Sequence, residues 1–357
     1  MSSPVPAHHS MLRKVLLGTA PIRVSALSWR RPIVVAVVTA VLVSLAIALQ
    51  DPVASFSLAV GALFTGLGGI NEAPGHRWRI MLWTGLWVSL AAIAGGLMSN
   101  IGAVELGAVA IVAAACGFAG AIGPRAMLVG VLALVVFAIY AGSPDTGKGA
   151  LEAGALVGLG GIIQMAALLV PVLVRNRGLL RGREEDLPSI RTRLMSHAQQ
   201  RDDFARHGVR LAIAMTIATA IGHVSGWPHQ YWIPMTVAWL SRPDTSGMST
   251  RVLSRVAGTL IGTMVAIAII DGLHVSGYGL AVVVGLGSLV LLVYIAADYT
   301  IAVIGITVVV LSLFSLAGET IGATAPSRIA STIVAAIIVV AVSAAWPSTS
   351  ARKAVFD

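Results

Sequence analysis

The stretch IVVAVVTAVLVSLAIALQDPVASFSLAVGALFTGLGGI, Ile33 to Ile70, carries a single charge, Asp51, between two otherwise uninterrupted apolar runs. Each run approaches the ~18–20 residues that a helix needs to cross a hydrocarbon core about 30 Å thick. Neither alternates polar with apolar residues, which excludes the strands of a membrane barrel. Backbone surrounded by lipid must satisfy its own hydrogen bonds, so the remaining solution is a helix. Gln50-Asp51-Pro52 is then a tight turn between two spans.

The pattern recurs along the chain. Apolar runs bounded by Pro, Gly or charge predict helices near 33–49, 53–70, 80–98, 101–121, 126–141, 151–174, 208–225, 229–241, 252–270, 277–296, 298–316 and 322–346. The whole sequence is 57% hydrophobic and 11% charged, with a mean hydropathy of +0.89, where soluble domains carry about 25% charged residues. The expected fold class is all-α, a polytopic transmembrane bundle of about twelve spans embedded in a lipid bilayer.

An even number of spans puts both termini on one side. With that side cytoplasmic, every Lys and Arg except Lys148 and Arg328 falls at a cytoplasmic end or loop, as the positive-inside rule requires. The expected location is the plasma membrane, multi-pass, with both termini cytoplasmic. The net charge of +9 is spread over short loops, which accounts for it without a nucleic acid partner.

A shift of 176 positions superimposes Arg30 on Arg206, Pro52 on Pro228, Arg79 on Arg255, Gly96 on Gly272, Gly142 on Gly318 and Pro171 on Pro347 without a gap. Two parallel six-helix repeats are therefore expected, since copies with an even number of spans insert in the same orientation. The domain boundaries follow. They are a cytoplasmic tail 1–32, a first repeat 33–174, a basic linker 175–207 forming a surface helix, a second repeat 208–347 and a cytoplasmic tail 348–357. The only apolar run in the first tail, Val15-Leu16-Leu17, is too short for a signal peptide.

Several chemistries find no support. Cys116 is the only cysteine and sits in an apolar run, which leaves no thiol metal cluster or disulfide framework. No HExxH or zinc-ligand spacing occurs, and GSPDTGKG, Gly142 to Gly149, has Gly149 where a phosphate loop needs Ser or Thr for magnesium. Neither a metal nor a cofactor is expected, and the chain does not read as an enzyme.

The positive signal is YWIPMTVAWLSRPDTSGMSTRVLSR, Tyr231 to Arg255. Pro234 removes a backbone hydrogen bond from a short aromatic span, and the expected result is a broken helix with irregular, cavity-lining backbone. Arg242 ends that span. Arg251 and Arg255 lie one turn apart on the next helix, where guanidinium groups bind carboxylates bidentately. Gly258 and Gly262 continue with the spacing that lets another helix approach closely. Trp232 and Thr236 complete the candidate substrate site. Anchoring of these arginines at the membrane interface is the competing reading.

Trp232-x-Pro234-x-Thr236, Arg242-Pro243 and Arg251-x3-Arg255-x2-Gly258-Thr259-x2-Gly262 resemble the signature region of the fusaric acid resistance (FUSC) family of the aromatic acid exporter superfamily. Tyr299-Thr300, Thr307 and Arg328 are similar to that family's second half. The resemblance implies a plasma-membrane exporter of aromatic or related carboxylate anions; its relatives include six-span plant anion channels. Many members carry sizeable cytoplasmic domains, whereas this chain has a short linker.

Charges inside spans complete the candidates. Glu152 and Arg328 are 176 positions apart and are expected to pair near the repeat axis, as a clasp or a proton-linked gate. Glu105 and His223 are separate candidates for proton coupling. Three functions compete: an exporter driven by membrane potential or proton exchange, an anion channel, and a scaffold or sensor. The chain acts alone or as a homodimer.

Overall fold

The computed structural model describes residues 27–70, 72–99, 102–143, 147–175, 188–200, 202–245 and 247–349. Most of the expected tail 1–32, positions 144–146 of the GSPDTGKG loop, linker positions 176–187 and nearly all of the tail 348–357 lie outside the described residues.

Thirteen helices follow one another among the described residues. They are α1 Arg30–Ala48, α2 Pro52–Gly69, α3 Pro74–Met98, α4 Ala103–Phe118, α5 Pro124–Ala141, α6 Gly147–Arg175, α7 Ile190–Gln200, α8 Asp203–Ser225, α9 Trp232–Leu240, α10 Met248–Ile267, α11 Tyr278–Tyr294, α12 Tyr299–Leu316 and α13 Ile321–Ala345. Their starts are chemically legible. Proline opens α2, α3 and α5, where its missing N–H is one the first helical turn cannot use. Asp51, Asp202 and Asp298 cap α2, α8 and α12, each side chain accepting from free backbone N–H groups of the first turn.

The result is an all-α, polytopic bundle. Among the described residues nine helices are long and apolar enough to cross a membrane, namely α1, α3, α4, α5, α6, α8, α10, α12 and α13, and two shorter apolar helices lie within α2 and α11. The exposed surface matches a lipid solvent: Val41, Trp83, Trp87, Ile111, Ile162, Leu286 and Ile337 all point outward. The linker helix α7 buries no residue and is tied to the bundle by Arg193, which donates to the carbonyl of Ile122.

Helix α9 departs from the expected full span over 229–241. It has nine residues, which at 1.5 Å per residue is about 14 Å, half of a hydrocarbon core. Nor does Pro234 break it. Pro234 sits in the first turn of α9, where an absent N–H costs nothing. The irregular backbone instead precedes the helix, from Gly226 to Tyr231, with left-handed φ at Gly226 and at His229.

All of α9 except Trp239 is buried. It packs on α5, α8 and α13, and α5 is itself buried along most of its length. Around this centre α2 packs on α6, α3 on α5 and α6, and α10 on α12 and α13, while α1 lies on α11 and α4 on α8. Where Gly258 and Gly262 of α10 face α12, an added Cβ would stand 2.7 Å from the Thr300 carbonyl oxygen and 2.8 Å from Thr307 Cβ respectively. These two backbones touch because glycine lets them.

One end of the bundle collects the arginines. Arg31 donates to the Ile70 and Glu72 carbonyls, Arg77 to the Glu72 carbonyl, and Arg125 to the Glu72 carboxylate. Arg210 donates to the Arg242, Pro243 and Trp346 carbonyls, and Thr245 meets Ser348 at 2.9 Å. The last contact places the start of α10 beside the end of α13, so these helices run antiparallel.

Candidate functional site

The site is best built from the second half of the chain. From the arginine-rich end, Arg242 follows α9 in a loop, and burial and then the Arg251 charge lower its guanidinium to about 10 while Tyr299 opposes them. Arg251, in the first turn of α10, lies 4.3 Å from the centre of the Tyr299 ring and reaches the Trp239 carbonyl at 3.4 Å. Two arginines and a phenol whose oxygen has no protein partner thus lie together at this end.

Arg255 lies deeper and is 2% exposed. It is two turns into α10, about 10 Å from the helix end. Thr259 and Thr263 extend its face by one turn each, and both are buried. Arg328 approaches from the opposite end, two turns into α13, and is 0% exposed. Its guanidinium carbon is 5.2 Å from the Trp232 ring centre, and Arg255 lies close enough to add its repulsion. No nitrogen of the Arg328 guanidinium has a protein hydrogen-bond partner.

The hydroxyl groups repeat this pattern. Ser and Thr in membrane helices ordinarily donate to the carbonyl four residues back, and here Thr39, Thr84, Ser288, Thr307 and Thr332 do so. The hydroxyls of Thr236, Thr259, Thr263, Ser312 and Ser331 are buried with no protein partner. A buried polar group left unpaired costs about 1–3 kcal/mol, and a charged one at helix centre about 2.5–3.5 kcal/mol on insertion scales. Three of these unmet donors, Thr259, Thr263 and Ser331, share helices with Arg255 and Arg328, while Thr236 and Ser312 stand on α9 and α12; such a set fits a group rich in acceptors such as a carboxylate.

The Trp232 indole, 1% exposed, is held among rings. His229 stacks on it at 4.4 Å and 19°, Phe314 meets it edge-on at 5.5 Å, and Tyr231 does so at 6.3 Å.

Other candidates lie elsewhere. Glu105 and His223, read separately in the sequence, meet: His223 Nε2 is 3.1 Å from Glu105 Oε1. They line a small cavity with Thr219, Gln230, Tyr231 and Pro234, so Pro234 faces this pair. The expected Glu152–Arg328 clasp does not form. Glu152 has a side chain 63% exposed and pairs with Lys148 at 3.5 Å on its own helix, while Arg328 is enclosed. A charge near the start of a span is pulled back toward water when its helix face permits it, and the face of α6 that bears Glu152 is outward. His229, Glu319, Ser312 and Ser331 were not singled out from sequence. The i, i+4, i+8 spacing of Arg255, Thr259 and Thr263 was the available signal for the hydroxyl face.

Among the described residues no group of three or more His, Cys, Asp or Glu could hold a metal ion. Fold and composition define a multi-pass α-helical membrane protein. Residues 216–342 match the family described as fusaric acid resistance protein-like, which covers α9 to α12 entirely, most of α13 and the last part of α8. The second half of the chain is thus similar to that family. It is 30% identical over 167 residues to the inner membrane protein YccS of Escherichia coli, covering 47% of this chain and 23% of that protein. It is 30% identical over 143 residues to an uncharacterized protein, ORF2, of Neisseria gonorrhoeae, covering 40% of this chain and 34% of that one. An uncharacterized protein of Haemophilus influenzae is 28% identical over 162 residues, 45% of this chain and 22% of its own length. The chain thus matches about a third or less of the length of these relatives. No solved structure matches it significantly.

Proposed function

We propose that this protein exports small organic carboxylate anions, aromatic ones among them, across the plasma membrane. The observation that carries the reading is Arg328, wholly buried over Trp232 with no nitrogen of its guanidinium partnered by protein. A guanidinium is kept in such a place at a cost unless an anion visits it. Arg242, Arg251 and Arg255 form the entry, and the hydroxyls of Thr236, Thr259, Thr263, Ser312 and Ser331 offer hydrogen bonds along the way. Trp232 supplies a ring face for an aromatic substrate. A negative interior favours exit of each anionic charge by about 2.3 kcal/mol per 100 mV, so no nucleotide is required. The Glu105–His223 pair is the candidate for proton exchange.

The arginine-rich end is taken as cytoplasmic, with both termini there. We read the bundle as twelve spans in two parallel repeats, α9 with its preceding hairpin making one of them. Adding 176 to the residue numbers turns α1 to α6 into α8 to α13, and it exchanges the α1–α11 contact with the α4–α8 contact, as a pseudo-twofold axis along the membrane normal would. The substrate site belongs to the second repeat, since Leu58 and Gly66 stand in the first where Pro234 and Arg242 stand in the second.

The test is flux of a radiolabelled aromatic carboxylate, such as benzoate, from proteoliposomes holding the full chain. Saturable flux lost in both Arg255→Gln and Arg328→Gln supports the reading. Parental flux in the two variants combined would remove it.

A further inference from the structure

The ring that covers Trp232 is held by a carboxylate. His229 Nε2 lies 3.0 Å from Glu319 Oε1, and its Nδ1 is buried with no protein partner. The imidazole therefore has one anchor. Phe314 packs against it at 4.3 Å and against Phe56 of α2 at 5.9 Å, which closes the ring cluster between the two halves of the chain. Both connections that meet here bend through left-handed backbone, at Gly226 and His229 in one and at Gly318 in the other. For His229, which has a Cβ, that conformation is strained and is held by its surroundings.

The arrangement has the chemistry of the proposed cargo. An aromatic carboxylate bound to this site would place its ring on Trp232 and its charge near Arg328. Trp232 already carries a parallel ring on one side and a guanidinium beside it, and the ring it carries is joined to a carboxylate. The cluster also lies at the end of the bundle opposite Arg242, so an anion moving away from Arg255 meets it last.

We propose that the His229–Glu319 pair is the exit gate of the anion path, an internal stand-in for the transported aromatic acid that seals Trp232 until substrate displaces it. This rests on the proposed export reading. Exit requires the imidazole to leave the indole, and the Glu319 hydrogen bond is what holds it there. The Glu319 carboxylate, about one-third exposed, also faces the outer side, where its charge discourages return of the anion.

The test reads accessibility rather than transport, in the full chain with Cys116→Ala and a single reporter, Ser331→Cys, one turn past Arg328. A membrane-impermeant maleimide is applied from the outer face of right-side-out vesicles. Slow labelling in this parent, rising about tenfold in both Glu319→Gln and His229→Gln, is the expected result, since each change removes the one charge-assisted anchor of the ring. Fast labelling in the parent, or an unchanged rate in both variants, overturns the gate. Glu319→Gln is isosteric at a partly exposed site, and labelling from the cytoplasmic face, which should stay at the parental rate, checks that each variant is folded. Benzoate flux of the corresponding chains that keep Ser331 and Cys116, measured in matching vesicles, separates the two ideas. Increased labelling without flux in any variant would keep the gate and remove the aromatic cargo, whereas saturable flux with unchanged labelling would do the reverse.

Discussion

Arg328 lies 5.2 Å from the centre of the Trp232 ring, and the two side chains are among the largest that the fold encloses completely. A cation that has exchanged water for one aromatic face and no acceptor is a destabilising feature of the resting protein. An attraction to an aromatic face recovers about 2 kcal/mol when desolvated, less than a hydrogen-bonded carboxylate would.

Replacing Arg328 with an apolar residue of similar length should therefore separate stability from function. Arg328→Met is expected to leave the thermal midpoint unchanged or to raise it by a few degrees, as substitution of unpaired buried charge does. It should also abolish the additional stabilisation that saturating benzoate is expected to give the parent. Intrinsic tryptophan fluorescence during thermal melts, with and without the anion, gives both numbers. A large fall in the midpoint would mean that Arg328 is a structural residue.

The unpartnered hydroxyls predict a second contrast. Thr259→Val and Thr263→Val should each raise the KM for carboxylate flux about two- to tenfold, the worth of one hydrogen bond, with no loss of stability because no protein bond is broken. Thr307→Val removes a hydroxyl that donates to the Val303 carbonyl at 2.8 Å and should leave KM alone. Equal KM values across the three variants would count against the hydroxyl face as a substrate path.

Carboxylate binding should also depend on pH at the entry. Burial and Arg251 lower the Arg242 guanidinium to about 10. An arginine attracts an anion in its protonated form, which is complete well below that value and lost above it. Binding of benzoate to the protein in nanodiscs is thus expected to be flat between pH 7 and 9 on this account and to weaken as pH passes about 10. In Arg242→Gln the weakening above pH 9 should disappear, which titration of the bound fraction would show.

At the α10–α12 contact, Gly258→Leu should prevent assembly of the site. An added Cβ alone would stand 2.7 Å from the Thr300 carbonyl oxygen, and backbone cannot move aside as a flexible side chain does. The expected cost is at least the 1–3 kcal/mol of an overpacked core, read as a lower thermal midpoint and loss of detergent-stable protein.

Much of this molecule is written in its sequence because a bilayer leaves few choices. Long apolar runs must become helices when no water is present to satisfy the backbone. Prolines and aspartates then mark the helix starts, and the resemblance of Trp232 to Gly262 to one family survives comparison with known proteins. Sequence periodicity also places Arg255, Thr259 and Thr263 on one helix face. Which charges meet was not legible in this way. Glu152 and Arg328 occupy matching positions in the numbering, yet one faces outward and the other inward, because the rotation of each helix is set by its neighbours. Glu105 with His223, and Glu319 with His229, are 118 and 90 positions apart, and nothing local couples them. Pro234 likewise reads as a break in any sequence window, but whether it interrupts a helix or begins one depends on where the chain enters the bundle. The sequence by itself determined that the chain is a helical membrane protein with a basic end and a set of arginines. Tertiary packing alone decided that one of those arginines is buried beneath a tryptophan without an acceptor, since burial and pairing are properties of several helices together.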